Sequence, residues 1–207
     1  AGSPHVKALT GTELAAGAHN DITLANNPAL VDRTVYTVTF TGTDLAAQAA
    51  PTLTYTNVTY DPTPPVISGA LPVTGTLVNN ARVTYTLSEN LASGSVTWTR
   101  TGGTNDPLSP HIQALVGTEL TAGTKTNIQL TNNPPIVSGA TYTVTFNGTD
   151  FAGHAATPIV STGIFVDVTP PLISSTAPLP NDRVNHTRVS YTLSENLASG
   201  TVTWTRS

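Results

Sequence analysis

The sequence contains no cysteine, which excludes a disulfide framework, a thiolate metal site and a thiol nucleophile. Charge is also scarce: 10% of residues are charged, and the formal net charge of −4 is spread without blocks. That distribution speaks against a nucleic-acid-binding surface or a basic membrane anchor. No stretch approaches the eighteen or so consecutive apolar residues of a membrane-spanning helix. Catalytic signatures are missing as well. There is no Gly-x-Ser-x-Gly, no phosphate-cradling Gly-x-x-x-x-Gly-Lys and no His-x-x-x-His pair, and the five histidines fall singly. The chain therefore reads as a non-enzyme. It opens on Ala1-Gly2-Ser3-Pro4 without a methionine or signal peptide and is expected to be a piece of a longer or processed chain.

What is abundant is Thr, Val, Asn, Gly and Pro, a composition of pleated strands and tight turns. An apolar fraction of 38% is enough to bury a core. The stretch Tyr85 to Gly94, followed by Ser95-Val96-Thr97-Trp98-Thr99-Arg100, returns almost letter for letter as Tyr191 to Arg206. Pairing residue i with i+106 extends the match without insertion over the whole chain, and just over half of the paired positions are identical. A period of about 106 residues is too long for a solenoid and suits one β-sandwich.

The fold class is accordingly all-β, with tandem immunoglobulin-like or fibronectin-like sandwiches of about seven strands each. Residues 61–166 form a complete copy, with strands expected at about 65–69, 81–88, 95–101, 111–116, 126–130, 141–147 and 158–166. Residues 1–60 supply the last four strands of another copy, at about 5–10, 20–25, 35–41 and 52–60, with a turn signal at Asn26-Asn27-Pro28. Residues 167–207 supply the first three strands of the next, at about 172–175, 187–194 and 200–206. Alternation puts Val83, Tyr85, Leu87, Val96, Trp98, Ile128, Leu130, Tyr142, Val144 and Phe146 in the core. Tyr142, and Tyr36 in the first piece, open a strand after a long corner, where the hydroxyl can bond back to upstream backbone. With nearly all aromatics on core-facing positions, no exposed aromatic platform is expected. His111 and His5 read as strand-edge polar residues, and Glu119 and Glu13 either as turn residues or as contacts to a neighbouring copy.

The linker Asp61-Pro62-Thr63-Pro64-Pro65-Val66-Ile67, the Tyr-Thr-Leu-Ser-Glu element, and Tyr142 to Phe146 running into Gly148-Thr149-Asp150-Phe151-Ala152-Gly153-His154 together resemble the bacterial immunoglobulin-like (Big-type) repeats of large surface proteins and adhesins. His154 stands where that family usually has Asn. The first piece has Asp44-Leu45-Ala46-Ala47-Gln48 and departs at both Gly and Asn. The resemblance implies an extracellular or cell-surface stalk or filament that carries an adhesive end away from the cell, and calcium at the junctions between copies.

If strands alternate up and down, Asp61, Glu89 and Asp150 share one pole of the middle copy, where three carboxylates and nearby carbonyls suit a hard cation such as Ca2+. The repeat equivalents are Asp167 and Glu195 with an Asp44-type loop. The alternative is that Asp61 and Asp150 cap turns while Glu89 is solvated. Partners are expected to be neighbouring copies, arranged head-to-tail, with neither nucleic acid nor membrane insertion. Either the copies are covalently continuous as a stalk, or the chain is a subunit whose incomplete half is completed by the next molecule. Carbohydrate binding is a third class. The flanking pieces leave opposite poles of the middle copy, so Ala1 and Ser207 of one molecule are not expected to meet.

Overall fold

Between Ala140 and Thr149, ten residues alternate buried and half-buried without interruption, which is the period of a strand with one face on a core. This strand is the spine of the computed structural model, which describes residues 3–24 and 29–206. The turn signal at Asn26-Asn27-Pro28, and Ala1 and Ser207, lie outside the described residues.

In chain order the strands are β1 (Thr34–Phe40), β2 (Leu53–Tyr60), β3 (Ile67–Leu71), β4 (Leu77–Val78), β5 (Val83–Leu87), β6 (Ser93–Gly103), β7 (His111–Ala114), β8 (Gly123–Ile128), β9 (Ala140–Thr149), β10 (Ile159–Val166), β11 (Ile173–Ala177) and β12 (Ser190–Leu193). Two short 3-10 turns, Gly11–Leu14 and Gly117–Leu120, complete the regular structure. The protein is all-β. All seven strands expected between residues 61 and 166 form, joined by β4, which adds a two-residue parallel pairing at the edge of β10.

Two sheets enclose one core in this region. The larger runs β4-β10-β9-β6-β7 and the smaller β3-β5-β8. β6 and β9 pair antiparallel from Ser93 opposite Thr149 to Gly103 opposite Ala140. Their inward side chains, Val96, Trp98, Tyr142, Val144 and Phe146, meet Val83, Tyr85 and Leu87 of the smaller sheet, each at most 2% exposed. Leu130 is buried with them, and Ile128 packs against the cluster half-buried. The expected core is therefore the observed one. The Trp98 indole N–H donates to Gln113 Oε1 at 3.1 Å, and the Tyr85 hydroxyl donates to the Glu119 carbonyl at 2.8 Å, so both aromatics bury their bulk without stranding a polar atom. Gly103 lies in a left-handed conformation against β9, where a Cβ would come within 2.1 Å of the Gly139 carbonyl. Only glycine fits that crossing.

The flanks differ from expectation. Among the described residues, the only named strands in 3–60 are those of the β1-β2 hairpin, beside the Gly11–Leu14 turn and an isolated Thr43–Ala49 bridge, and those in 167–206 are the β11-β12 hairpin. The strands expected at about 5–10, 20–25 and 200–206 are not formed among the described residues, residue 25 lying outside them. The reason lies in hydrogen-bond partners. The counterparts of 5–10 and 20–25 in the middle region are β7 and β8, which pair with β6 and β5. The corresponding partners for 5–10 and 20–25 lie at the other end of the chain, around 200–206 and β12. A strand whose ladder partner is absent has no backbone bonds to hold it. Exposed aromatics follow: Phe40, Tyr55, Tyr191 and Trp204 are each more than half exposed, because a hairpin alone has no second sheet to cover its apolar face. Tyr36 is partly shielded by His5, the ring centroids being 6.2 Å apart.

Candidate metal centre

Three loops meet at one pole of the two-sheet body. The linker after β2 carries Asp61, the turn between β5 and β6 carries Glu89, and the loop after β9 carries Asp150. One carboxylate oxygen of each lies within 4.8 Å of the others. Prolines at 62, 64 and 65 hold the linker extended and leave Asp61 facing the pole. Its Oδ1 accepts the Thr63 N–H at 3.3 Å. Asp150 is 2% exposed. Its Oδ1 accepts the backbone N–H groups of Ala152 and His154, both at 2.8 Å, and its Oδ2 lies 3.1 Å from His154 Nδ1. Turn capping and convergence are thus realised together rather than as alternatives.

Burial pushes the Asp150 carboxyl up, but its bonds to the His154 backbone and ring and to Ala152 outweigh this and hold it below the usual carboxylate range. Glu89 goes the other way. Removal from water, together with the Asp61 and Asp150 carboxylates, raises it, although Arg33 pulls it down. The Arg33 guanidinium donates to Glu89 Oε1 at 2.8 Å. It reaches across from the corner before β1, where it is held beside the linker as Thr63 Oγ1 donates to Asp32 Oδ2 at 2.8 Å. Arg33 was not legible as a site residue. The only signal was that its counterpart in the repeat is Gly139.

The remaining expected site residues divide. Asp167 and Glu195 are close enough that burial and then the Asp167 carboxylate raise Glu195 above its ordinary range, and Asp167 Oδ1 accepts the Thr169 N–H at 3.1 Å. No third acid joins them among the described residues. Asp44 caps its own loop, with Oδ1 accepting from Ala46 N–H at 2.9 Å and Gln48 N–H at 2.8 Å. That geometry matches the Asp150 loop even though Ala47 replaces Gly153, both residues being left-handed. The departures noted in this loop leave its shape intact.

The three-acid cluster offers oxygen ligands of the hard type that Ca2+ takes in sets of six to eight. The Asp61 and Glu89 side chains also lie within hydrogen-bond reach of one another. Arg33 already supplies positive charge on Glu89 Oε1, so the cluster fits a cation as part of a ligand set completed from water or carbonyls.

A second group escaped the sequence reading. Asp106, 6% exposed, lies in the loop between β6 and β7. It accepts the Tyr142 hydroxyl at 2.7 Å and lies 2.6 Å from His111 Nε2. The same hydroxyl accepts the Val137 N–H at 3.0 Å, the expected bond from tyrosine to upstream backbone, and Tyr36 repeats it with Val31 at 2.8 Å. Burial, then the bond to Asp106, pushes the Tyr142 hydroxyl up to about 12, which keeps it a donor. Glu119 is also buried and structural, its oxygens accepting from Val116 and Thr131. Asp106 was hidden because it sits in an irregular Gly-Thr-Asn stretch with no periodicity to mark its burial.

Comparison with protein-family models, with curated proteins and with solved structures finds no match.

Proposed function

We propose that this chain is a non-catalytic, extracellular structural segment, built of tandem immunoglobulin-like sandwiches with a 106-residue period, that forms part of a stalk or filament of a surface adhesin. The observation that supports this reading is the recurrence of the same local bonds at that spacing. Tyr36 and Tyr142 close the same corner, and Asp44 and Asp150 cap the same loop. Ser88 and Ser194 accept the same linker N–H groups, from Val66 and Leu172. Each copy hands its chain to the next through a proline-rich linker, which suits reach and stiffness. Solution scattering tests this: appending a further copy of residues 61–166 lengthens the particle along one axis at constant cross-section. A particle that grows isotropically instead would overturn the stalk.

A second reading, a subunit completed by another molecule, is favoured by the exposed apolar faces of both hairpins. For the acidic cluster the proposal is calcium. Binding to the folded form alone raises the melting temperature with the logarithm of free metal. Millimolar CaCl2 is expected to raise it and chelator to return it, with a larger response in Arg33→Ala, which frees Glu89 Oε1. A melting temperature indifferent to both, in wild type and variant, rejects the cation.

A further inference from the structure

The apolar groove between β11, β12 and the segment that follows them is lined by Ile173, Tyr191, Leu193, Leu197, Val202 and Trp204. Subtracting the repeat offset turns these six residues into Ile67, Tyr85, Leu87, Leu91, Val96 and Trp98, every one of them at most 7% exposed in the middle core. What covers Val96 and Trp98 there is β9, through Tyr142, Val144 and Phe146, backed by Ile164 and Val166 of β10. The counterparts of that cover are Tyr36, Val38 and Phe40 of β1 with Val58 and Tyr60 of β2. The last four are between 36% and 56% exposed, and Tyr36 is half-buried. One end of the chain thus presents an open half-core, and the other end presents the matching half.

From this we infer that the groove at residues 173–204 is a docking surface for the N-terminal hairpin of a second copy of this chain, in a register fixed by the middle copy. This deepens the second reading above and rests on it. Transposing the β6-β9 ladder places Val202 opposite the partner copy's Phe40, Thr203 opposite its Thr39 and Trp204 opposite its Val38. Transposing β6-β7 brings the segment around His5 to the other edge of 202–204, and β5-β8 brings the segment around Ile22 to the edge of β12. The segments that form no strand in the isolated chain are the ones that gain a ladder. Both hairpins already present, β1-β2 and β11-β12, enter unchanged. Because the two surfaces lie at different ends of the molecule, the contact is head-to-tail and propagates. One contact is not reproduced. Lys7 stands where Gln113 receives the Trp98 indole, and its ammonium is buried with no hydrogen-bond partner among the described residues.

The absence of native cysteine makes register directly testable. In the Thr39→Cys/Thr203→Cys double variant, the two thiols face one another across an antiparallel pair, within disulfide reach. Oxidation of the 207-residue protein with copper phenanthroline is expected to give a ladder of disulfide-linked multimers. The Thr37→Cys/Thr203→Cys control, two residues out of register, is expected to give several-fold less. Adding Trp204→Asp to the first variant is expected to abolish the ladder. Unmodified protein is expected to gain mass with concentration in sedimentation. A product confined to monomers, equal yields from the two pairs, or no cross-link with constant mass would each overturn the inference. None of these would touch the stalk reading, whose scattering test depends on one molecule alone.

Discussion

Replacing Trp98 with alanine is expected to destabilise the chain by roughly 3 to 5 kcal/mol, the range for deleting a fully buried large aromatic and leaving its cavity. Trp98 is 0% exposed, packs edge-on to Tyr142 with ring centroids 6.0 Å apart, and holds Gln113 through its indole N–H. The loss therefore combines transfer, cavity and an orphaned buried amide oxygen. The identical change at Trp204, 52% exposed, is expected to fall within about 0.5 kcal/mol for the monomer, as for surface positions. Denaturant midpoints of the two variants at low concentration give the comparison directly. Equal losses at the two sites would mean that the hairpin at 173–204 is already covered within one molecule.

The second large effect is expected at Asp106. Its carboxylate joins the Tyr142 hydroxyl to His111 inside the body, so Asp106→Ala leaves two buried polar groups without their partner and costs about 3 kcal/mol. Burial by itself would raise the Asp106 carboxyl, but the bonds from Tyr142, His111 and the Leu108 N–H outweigh it and hold the group below its ordinary range. A carboxylate lowered in the folded state contributes stability that is complete above the unfolded value near 3.9 and is lost as pH falls through the folded value. Wild-type stability is therefore expected to drop on acidification below about pH 4. Asp106→Asn, which has no proton to take up, should flatten that limb while lowering the plateau. Parallel acid limbs in melting curves of the two proteins would show that Asp106 is not the group responsible.

Much of this was legible from residue order. The strands of the middle copy follow from period-two alternation, because a pleated backbone sends successive side chains to opposite faces, and a one-residue error would have put Trp98 in water. The corner tyrosines were legible from a Tyr that opens a strand after Pro-Pro and Ser-Gly. The pole shared by Asp61, Glu89 and Asp150 followed from counting strands up and down, since sheet topology fixes which loops are neighbours even when chain separation is large.

Other features needed the packed chain. Arg33 reaches Glu89 across 56 positions, and no local pattern encodes a contact between a corner and a turn of different copies. Asp106 is buried by the loop that surrounds it rather than by any periodicity of its own. The clearest division lies in the repeat itself. Val96-Thr97-Trp98-Thr99-Arg100 and Val202-Thr203-Trp204-Thr205-Arg206 are the same five residues, yet the first lies inside β6 with β7 and β9 on either side while the second makes no ladder. The sequence by itself determined which residues can form a strand and which face would be apolar. Whether the strand exists was decided by tertiary structure, because the hydrogen bonds that define it belong to a pair of segments, and a segment without its partner leaves its N–H and C=O groups to water.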